Sequence, residues 1–313
     1  MSRIAYLDKA FRSDTLAIVD QANDICEQYA VMGYELTLRQ LYYQFVAKAL
    51  IPNSDKSYKR LGSIVNDARL AGLIDWDHLT DRTRNERKIT TWDSPSSIID
   101  ASASQFRRDV WSTSGQLYRP WVWVEKDALV DVVARAANPL FTPYFSCRGY
   151  VSQSEMWAAA QRIKQAHDEG CHPVVFHLGD HDPSGIDMSR DIQERLSLFT
   201  GYKVDVRRIA LTMDQIQQFG PPPNPAKLTD SRGSSYVREY GYQSWELDAI
   251  DPPMLVALIT DHVRSIITDI AAWDEVLDDD AATRTRMGDV AYRWDDIYDR
   301  WDDIEHLLEG GEA

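Results

Sequence analysis

Four short runs rich in β-branched and aromatic residues, WVWVEKD from Trp121, PYFSCRGY, PVVFHLGD and YKVDVRRIAL, are separated by stretches with helical periodicity. The helical stretches are predicted over 128–137, 154–169 and 189–199. Apolar runs of this length bounded by helices read as strands buried on both faces, and strands alternating with helices imply a parallel, doubly wound sheet with right-handed crossovers. Such sheets carry their functional side chains at the carboxyl ends of the strands. Two of the expected strands end in acids: Glu125 closes VWVE, and Asp180 and Asp182 follow PVVFHLG in the run GDHDPSG. Carboxylates from neighbouring strand ends can form an oxygen cage for Mg²⁺, which suits phosphoryl transfer. A lone D-x-D is as often a solvated loop. A glutamate at one strand end followed by D-x-D-P-x-G two strands later is a much more specific pattern.

The first hundred residues read as helices. An amphipathic stretch covers 5–32, Thr37 is a suitable N-cap for a helix over 38–50, and another is expected over 56–71 after the turn IPNSD. With GLIDWDHLTDRTR as a hairpin, this is the outline of a winged helix-turn-helix, although a small helical bundle would give the same pattern. The segment 220–235, GPPPNPAKLTDSRGSS, reads as a loop, and WELDAIDPPMLVALITDHVRSIITDI after it as one long helix capped by Asp251.

The order VEKDAL, SCRGYVSQSEMW, GDHDPSG resembles the Toprim fold as it occurs in topoisomerase VI A subunits and the related meiotic double-strand-break proteins. TLRQLYYQFV is similar to the winged-helix segment of that family, and WELDAIDPP to a motif that follows its Toprim region. The resemblance runs from about 35 to 270. It implies an α/β plus α chain: a winged-helix (CAP-like) DNA-binding domain over 1–115, a Rossmann-like Toprim domain over 116–270 and an acidic helical tail over 271–313. It also implies Mg²⁺ on Glu125, Asp180 and Asp182, with Glu125 in acid/base chemistry, and a tyrosine that attacks DNA to leave a covalent 5′-phosphotyrosyl link. Double-stranded DNA as substrate and a homodimer in which the tyrosine of one subunit meets the metal site of the other follow from the same resemblance; nothing in the chain resembles the ATPase module that such A subunits need for strand passage, so either a separate ATPase subunit supplies it or the chain is a free-standing relative.

Helix geometry distinguishes the two tyrosines. Leu38, Leu41, Tyr42, Phe45 and Val46 form a buried stripe, which leaves Tyr43 about 100° off it and one turn from Arg39. Tyr43 is therefore the expected nucleophile, with Arg39 holding the phosphate and favouring the phenolate. Two rival readings stay open: a metal-dependent nuclease that uses water, and a non-catalytic DNA-binding protein.

Net charge is −15, which argues against nucleic-acid binding until its distribution is considered. From 271 to 313 there are 14 Asp and Glu against 4 Arg, whereas 35–110 carries 12 basic residues against 10 acidic. Lys56, Lys59, Arg60, Arg69 and Arg148 are the candidate DNA contacts, although a solvated face on the helix and an ordinary surface arginine at 148 fit the sequence equally well. Trp294, Trp301 and Ile304 lie at helical spacing, which predicts a packing helix, with a DNA-imitating tail that occludes the basic surface as the alternative. His181 is expected to be a spacer, because Mg²⁺ prefers oxygen. Three scattered cysteines suit reduced core thiols, and the lack of a long apolar run or a leader-like start predicts a cytoplasmic protein with no membrane span.

Overall fold

The structure is a computed structural model and describes residues 3–79, 89–226, 232–301 and 303–305. Its contacts divide the chain into two compact units, one of 1–85 with 120–266 and the other of 86–119 with 267–313. The segment expected as the helical domain over 1–115 is thus divided: 1–85 shares the first unit with most of the expected Toprim segment, and 86–115 falls in the second with the acidic C-terminal segment.

In the first unit, α1 (Ser13–Val31), α2 (Leu38–Ala47) and α3 (Asp55–Leu70) enclose a core of Val19, Ile25, Leu36, Leu41, Phe45, Leu61 and Ile74. Thr37 and Gln40 form a capping box at the start of α2, and the Ser54 hydroxyl accepts the Ser57 N–H at the start of α3. The expected hairpin over GLIDWDHLTDRTR lies partly outside the described residues. Its described part makes a short 3-10 turn at Trp76–His78, and Leu79 forms a single bridge with Leu36.

The sheet contains β1 (Tyr118–Val124), β2 (Tyr144–Ser146), β3 (His172–Leu178) and β4 (Asp205–Ala210), in the order β2-β1-β3-β4. β1 runs parallel to β2 and β3 parallel to β4. Six of the seven residues of β3 are buried, as expected of an inner strand covered on both faces. The helices Gln153–Asp168 and Pro183–Thr200 pack beside one another in a core with Trp123, Val175, Met188 and Ile192. This α/β architecture with a four-stranded parallel sheet is what the strand and helix alternation predicted.

The long helix expected over 245–270 is not continuous. WELDAID is a short bridge and a 3-10 turn (Leu247–Ala249), a helix runs only over Pro252–Arg264, and the chain turns before the next helix begins at Ile270. Asp251 does precede the prolines, but its carboxylate accepts the hydroxyl of Tyr29 and the Gln44 amide instead of capping the helix.

In the second unit, helices Pro95–Gln105 and Ile270–Tyr292 pack together, with Trp111 edge-on to Trp273 at 4.9 Å. Asp280, 1% exposed, accepts the backbone N–H of Arg108 at 2.8 Å and pairs with its guanidinium at 2.5 Å. The last described helix, Trp294–Asp299, buries Trp294 only in part, and Trp301 is 50% exposed, so the expected packing stripe extends through only part of this segment. Among the described residues no helix is long and apolar enough to cross a membrane.

Candidate functional site

The carboxyl edge of the sheet gathers the acids. Glu125 directly follows β1, with its backbone N–H on Leu178 O, and its side-chain Oε2 accepts the Asp180 N–H at 2.8 Å. Asp180 follows β3. Its Oδ1 accepts the Leu247 N–H at 2.8 Å and its Oδ2 lies 3.0 Å from Lys126 Nζ. Asp182 caps the Pro183–Thr200 helix by accepting the Gly185 N–H at 2.7 Å. The aspartate–proline pair therefore starts that helix six residues earlier than the sequence periodicity suggested, and ties the acid to a fixed backbone.

Two glycines make room for this arrangement. A Cβ on Gly179 would lie 3.0 Å from Glu125 Oε2, and one on Gly185 would lie 2.2 Å from the backbone oxygen of Asp180 and 3.1 Å from Glu125 Oε2. Behind them Arg208 donates to the carbonyls of Gly179, Asp180 and Gly185 at 2.6–2.8 Å.

WELDAID completes the cluster. His181 and Trp245 exchange backbone hydrogen bonds at 2.8 and 2.9 Å, which draws Glu246 and Asp248 to the strand ends. His181 is the expected spacer, its ring buried against Tyr236, Tyr240 and Trp245 with Nδ1 2.8 Å from the Tyr236 hydroxyl. Lys126 Nζ lies 2.9 Å from Glu246 and 3.0 Å from Asp248 as well as facing Asp180. Arg39 pairs with the same Glu246 oxygen and lies 3.4 Å from Asp248.

Tyr43 is the second element of the site. Its hydroxyl is 3.3 Å from Asn224 Nδ2 and 3.5 Å from Arg39 Nη2. Asn224 also donates to Glu246 at 3.3 Å and accepts from Asn53 at 2.8 Å. Tyr42 points to the other end of the same chain of contacts, donating to Asn53 at 2.8 Å and accepting the Ser54 N–H at 2.8 Å. Tyr43, Arg39, Asn224, Asp180, Asp182 and Glu246 line one cleft of about 470 Å³. A second cleft of similar volume, lined by Glu125, Lys126, Arg148 and Asp248, shares Arg39, Asp180 and Glu246 with the first.

The expected phase of α2 needs correction. Tyr43 is only 2% exposed and Tyr42 5%, because α2 is covered on a second face by Leu247–Ala249, a segment some two hundred residues away that helical periodicity cannot register. Nor does Arg39 favour the phenolate on balance. Burial first, then the charge of Glu246, push Tyr43 up to about 12 against the opposing pull of Asn224, Arg39 and Lys126. Arg39 is itself neutralised by Glu246.

The acids differ in kind. Burial, then the charges of Asp180 and Asp182, raise Glu125 to about 7, although the Asp180 N–H and Lys126 pull the other way. Asp180 is raised by burial in spite of Lys126 and Leu247. Burial would raise Glu246 too, but Lys126 and Arg39 outweigh it and hold it at about 2. Glu125, Asp180 and Asp182 offer only oxygen donors, and two glycines make room beside Glu125 and Asp180. Oxygen donors are the type that a hard divalent cation such as Mg²⁺ takes, although among the described residues no three acids are already gathered as a metal cage.

Of the residues expected on DNA, Lys56, Lys59 and Arg60 are exposed on α3, with Arg60 3.7 Å from Asp14. Arg148 is 73% exposed at its side chain and pairs with Asp127 at 3.0 Å. Arg69 is not a surface contact: it donates to the carbonyls of Trp76 and Leu79 at 2.9 and 3.1 Å and stacks 4.4 Å over the Trp76 ring. Lys126, Asn224, Glu246 and Asp248 were not singled out from the sequence. The nearest signals were the lysine beside Glu125 and the two acids spaced by one residue in WELDAID. No protein-family model matches the chain, and no curated protein matches its sequence.

Proposed function

We propose that the chain binds double-stranded DNA through an N-terminal domain of winged-helix type and cleaves it in a Mg²⁺-dependent reaction of the topoisomerase VI A type, with Tyr43 as nucleophile. The observation that carries this reading is the shared cleft: Tyr43, Asp180 and Asp182 are among the residues that line one space within a single chain. Glu125, Asp180 and Asp182 would hold the ion, which supplies positive charge against the phosphate oxygens as negative charge develops there. Tyr43 Oη bonds to phosphorus, the P–O3′ bond breaks, the phenolic proton is given up and the 3′ oxygen takes one up, leaving a 5′-phosphotyrosyl link. Asn224 holds the Tyr43 oxygen by donating to it, and Arg39, freed from Glu246 by an incoming phosphate, offers the charge that the free site lacks. The exposed face of Lys56, Lys59 and Arg60 supplies phosphate contacts away from the chemistry.

The family resemblance implies a dimer acting in trans, whereas the shared cleft supports attack in cis. A second reading, a nuclease in which water is the nucleophile, is favoured by the burial of Tyr43 and its raised pKa. Supercoiled plasmid incubated with the purified protein, with and without Mg²⁺, and run on gels before and after protease treatment separates them. Protein held on 5′ ends supports the first reading, free ends that need Mg²⁺ support the second, and binding without cleavage refutes both.

A further inference from the structure

The ammonium of Lys126 sits where a cation is expected. Its Nζ contacts three carboxylates, Asp180 Oδ2, Glu246 Oε2 and Asp248 Oδ2, all at 2.9–3.0 Å, and its side chain is 20% exposed. The other Asp248 oxygen, Oδ1, is buried without a hydrogen-bond partner. A buried carboxylate oxygen left unpaired is costly, and it marks a cluster with more negative charge than its own contacts satisfy. Three acids converging on one point, one of them shared with the neighbouring Glu125–Asp180–Asp182 set, is the arrangement by which phosphoryl-transfer sites hold a second divalent ion beside the first.

We propose that Lys126 is a tethered cation that fills the position of a second divalent ion, so that the cluster accepts one such ion and not two. The inference rests on the reading that Glu125, Asp180 and Asp182 hold the first. An ammonium fixed to the chain neutralises Glu246 and Asp248 at any metal concentration and positions both next to Arg39, but as a strongly hydrated point charge with one unit of charge it does not act as a Lewis acid. The site would then combine one exchangeable ion with one permanent charge.

Equilibrium dialysis of the full chain against Mn²⁺, with free ion measured by its electron paramagnetic resonance signal, gives the number of tight ions per chain. The parent should hold one, Lys126→Arg one, and Lys126→Met two. One ion in both the parent and Lys126→Met, or two in the parent, overturns the proposal. A parent that holds none instead sinks the metal reading on which it rests, so the two failures are distinct. Should Lys126→Met not fold, Lys126→Gln removes the charge, keeps all three carboxylates and leaves a side chain that can still hydrogen-bond to them. That variant should hold two ions, and one ion there would equally overturn the proposal.

Discussion

The amide of Asn224 reaches the hydroxyl of Tyr43 at 3.3 Å across 181 positions of sequence. It does so from a two-residue strand, Asn224–Pro225, paired with Gln243–Ser244, and Asn53, itself bonded to the Tyr42 hydroxyl, holds Asn224 in turn. Tyr43→Phe should abolish covalent attachment to DNA and hardly move the melting temperature, because both contacts of the hydroxyl are long. Asn224→Ala should slow attachment without changing DNA affinity. Tyr42→Phe should keep cleavage but cost about 1–2 kcal/mol, since it leaves the Ser54 N–H and Asn53 without a short partner. Tyr42→Ala should cost about 3–5 kcal/mol as a truncated buried aromatic. Normal attachment by Tyr43→Phe would make another side chain the nucleophile, and undiminished cleavage to free ends by both Tyr43→Phe and Tyr42→Phe would leave only the water-using reaction.

The raised Glu125 links stability to pH in a direction opposite to that of most carboxylates. Its pKa is about 7 when folded against 4.5 as the ordinary value, so the folded state binds the proton more tightly than the unfolded state between those limits. The associated stability is complete below about pH 4.5 and lost as pH rises through 7, on the order of 2–3 kcal/mol. Glu246, held at about 2, acts the other way, but its contribution is lost only as pH falls well below this window. Urea unfolding at pH 5 and pH 8 should show the parent losing more stability on the alkaline side than Glu125→Gln. Saturating Mg²⁺ should remove the difference by stabilising the ionised form. Equal slopes for parent and variant would place the titration elsewhere.

The strand-end acids were legible in the sequence because period and composition change sharply at each end of β1 and β3, whereas the helix start at the aspartate–proline pair was placed six residues too late. Strand order, the burial of Tyr43 and the inner position of Lys126 were not legible. Each depends on segments far apart in sequence: Trp245 pairs with His181, and only that pairing brings Glu246 and Asp248 to Lys126 and Arg39. The partners of Arg69 were hidden for a related reason. Its place on a basic helix suggested phosphate, while the Trp76 ring and two carbonyl groups that occupy it come from the turn after the helix.

Gly185 offers a test of the close approach to Glu125 and Asp180. In a helix, Gly→Ala ordinarily stabilises by about 0.5–1 kcal/mol. Here the added Cβ would meet the Asp180 carbonyl oxygen at 2.2 Å, and Arg208 ties both backbone carbonyls in place at 2.6 and 2.8 Å. Gly185→Ala should therefore destabilise by about 2–4 kcal/mol and weaken Mn²⁺ binding. Gly288→Ala, in the Ile270–Tyr292 helix with nothing within 4 Å of the new Cβ, is the control and should gain the ordinary helical increment. If both variants gained stability, the close approach of Gly185 to Glu125 and Asp180 would be wrong.

The basic residues of α3 should separate into two classes when stability and DNA affinity are measured on the same variants. Lys56 and Lys59 are exposed, so Lys→Gln at either should change stability by no more than about 0.5 kcal/mol. If they contact phosphate, each should also lower the slope of log affinity against log salt by about one. Arg69 should behave in the reverse way. Its planar fork serves two carbonyls while its face stacks on Trp76, a geometry that an ammonium cannot reproduce, so Arg69→Lys should cost about 1–3 kcal/mol. The salt slope should stay at the parental value, because the guanidinium is already committed within the fold. An Arg69→Lys variant with a shallower salt slope and an unchanged melting temperature would restore Arg69 to the DNA surface and remove the structural role assigned to it here.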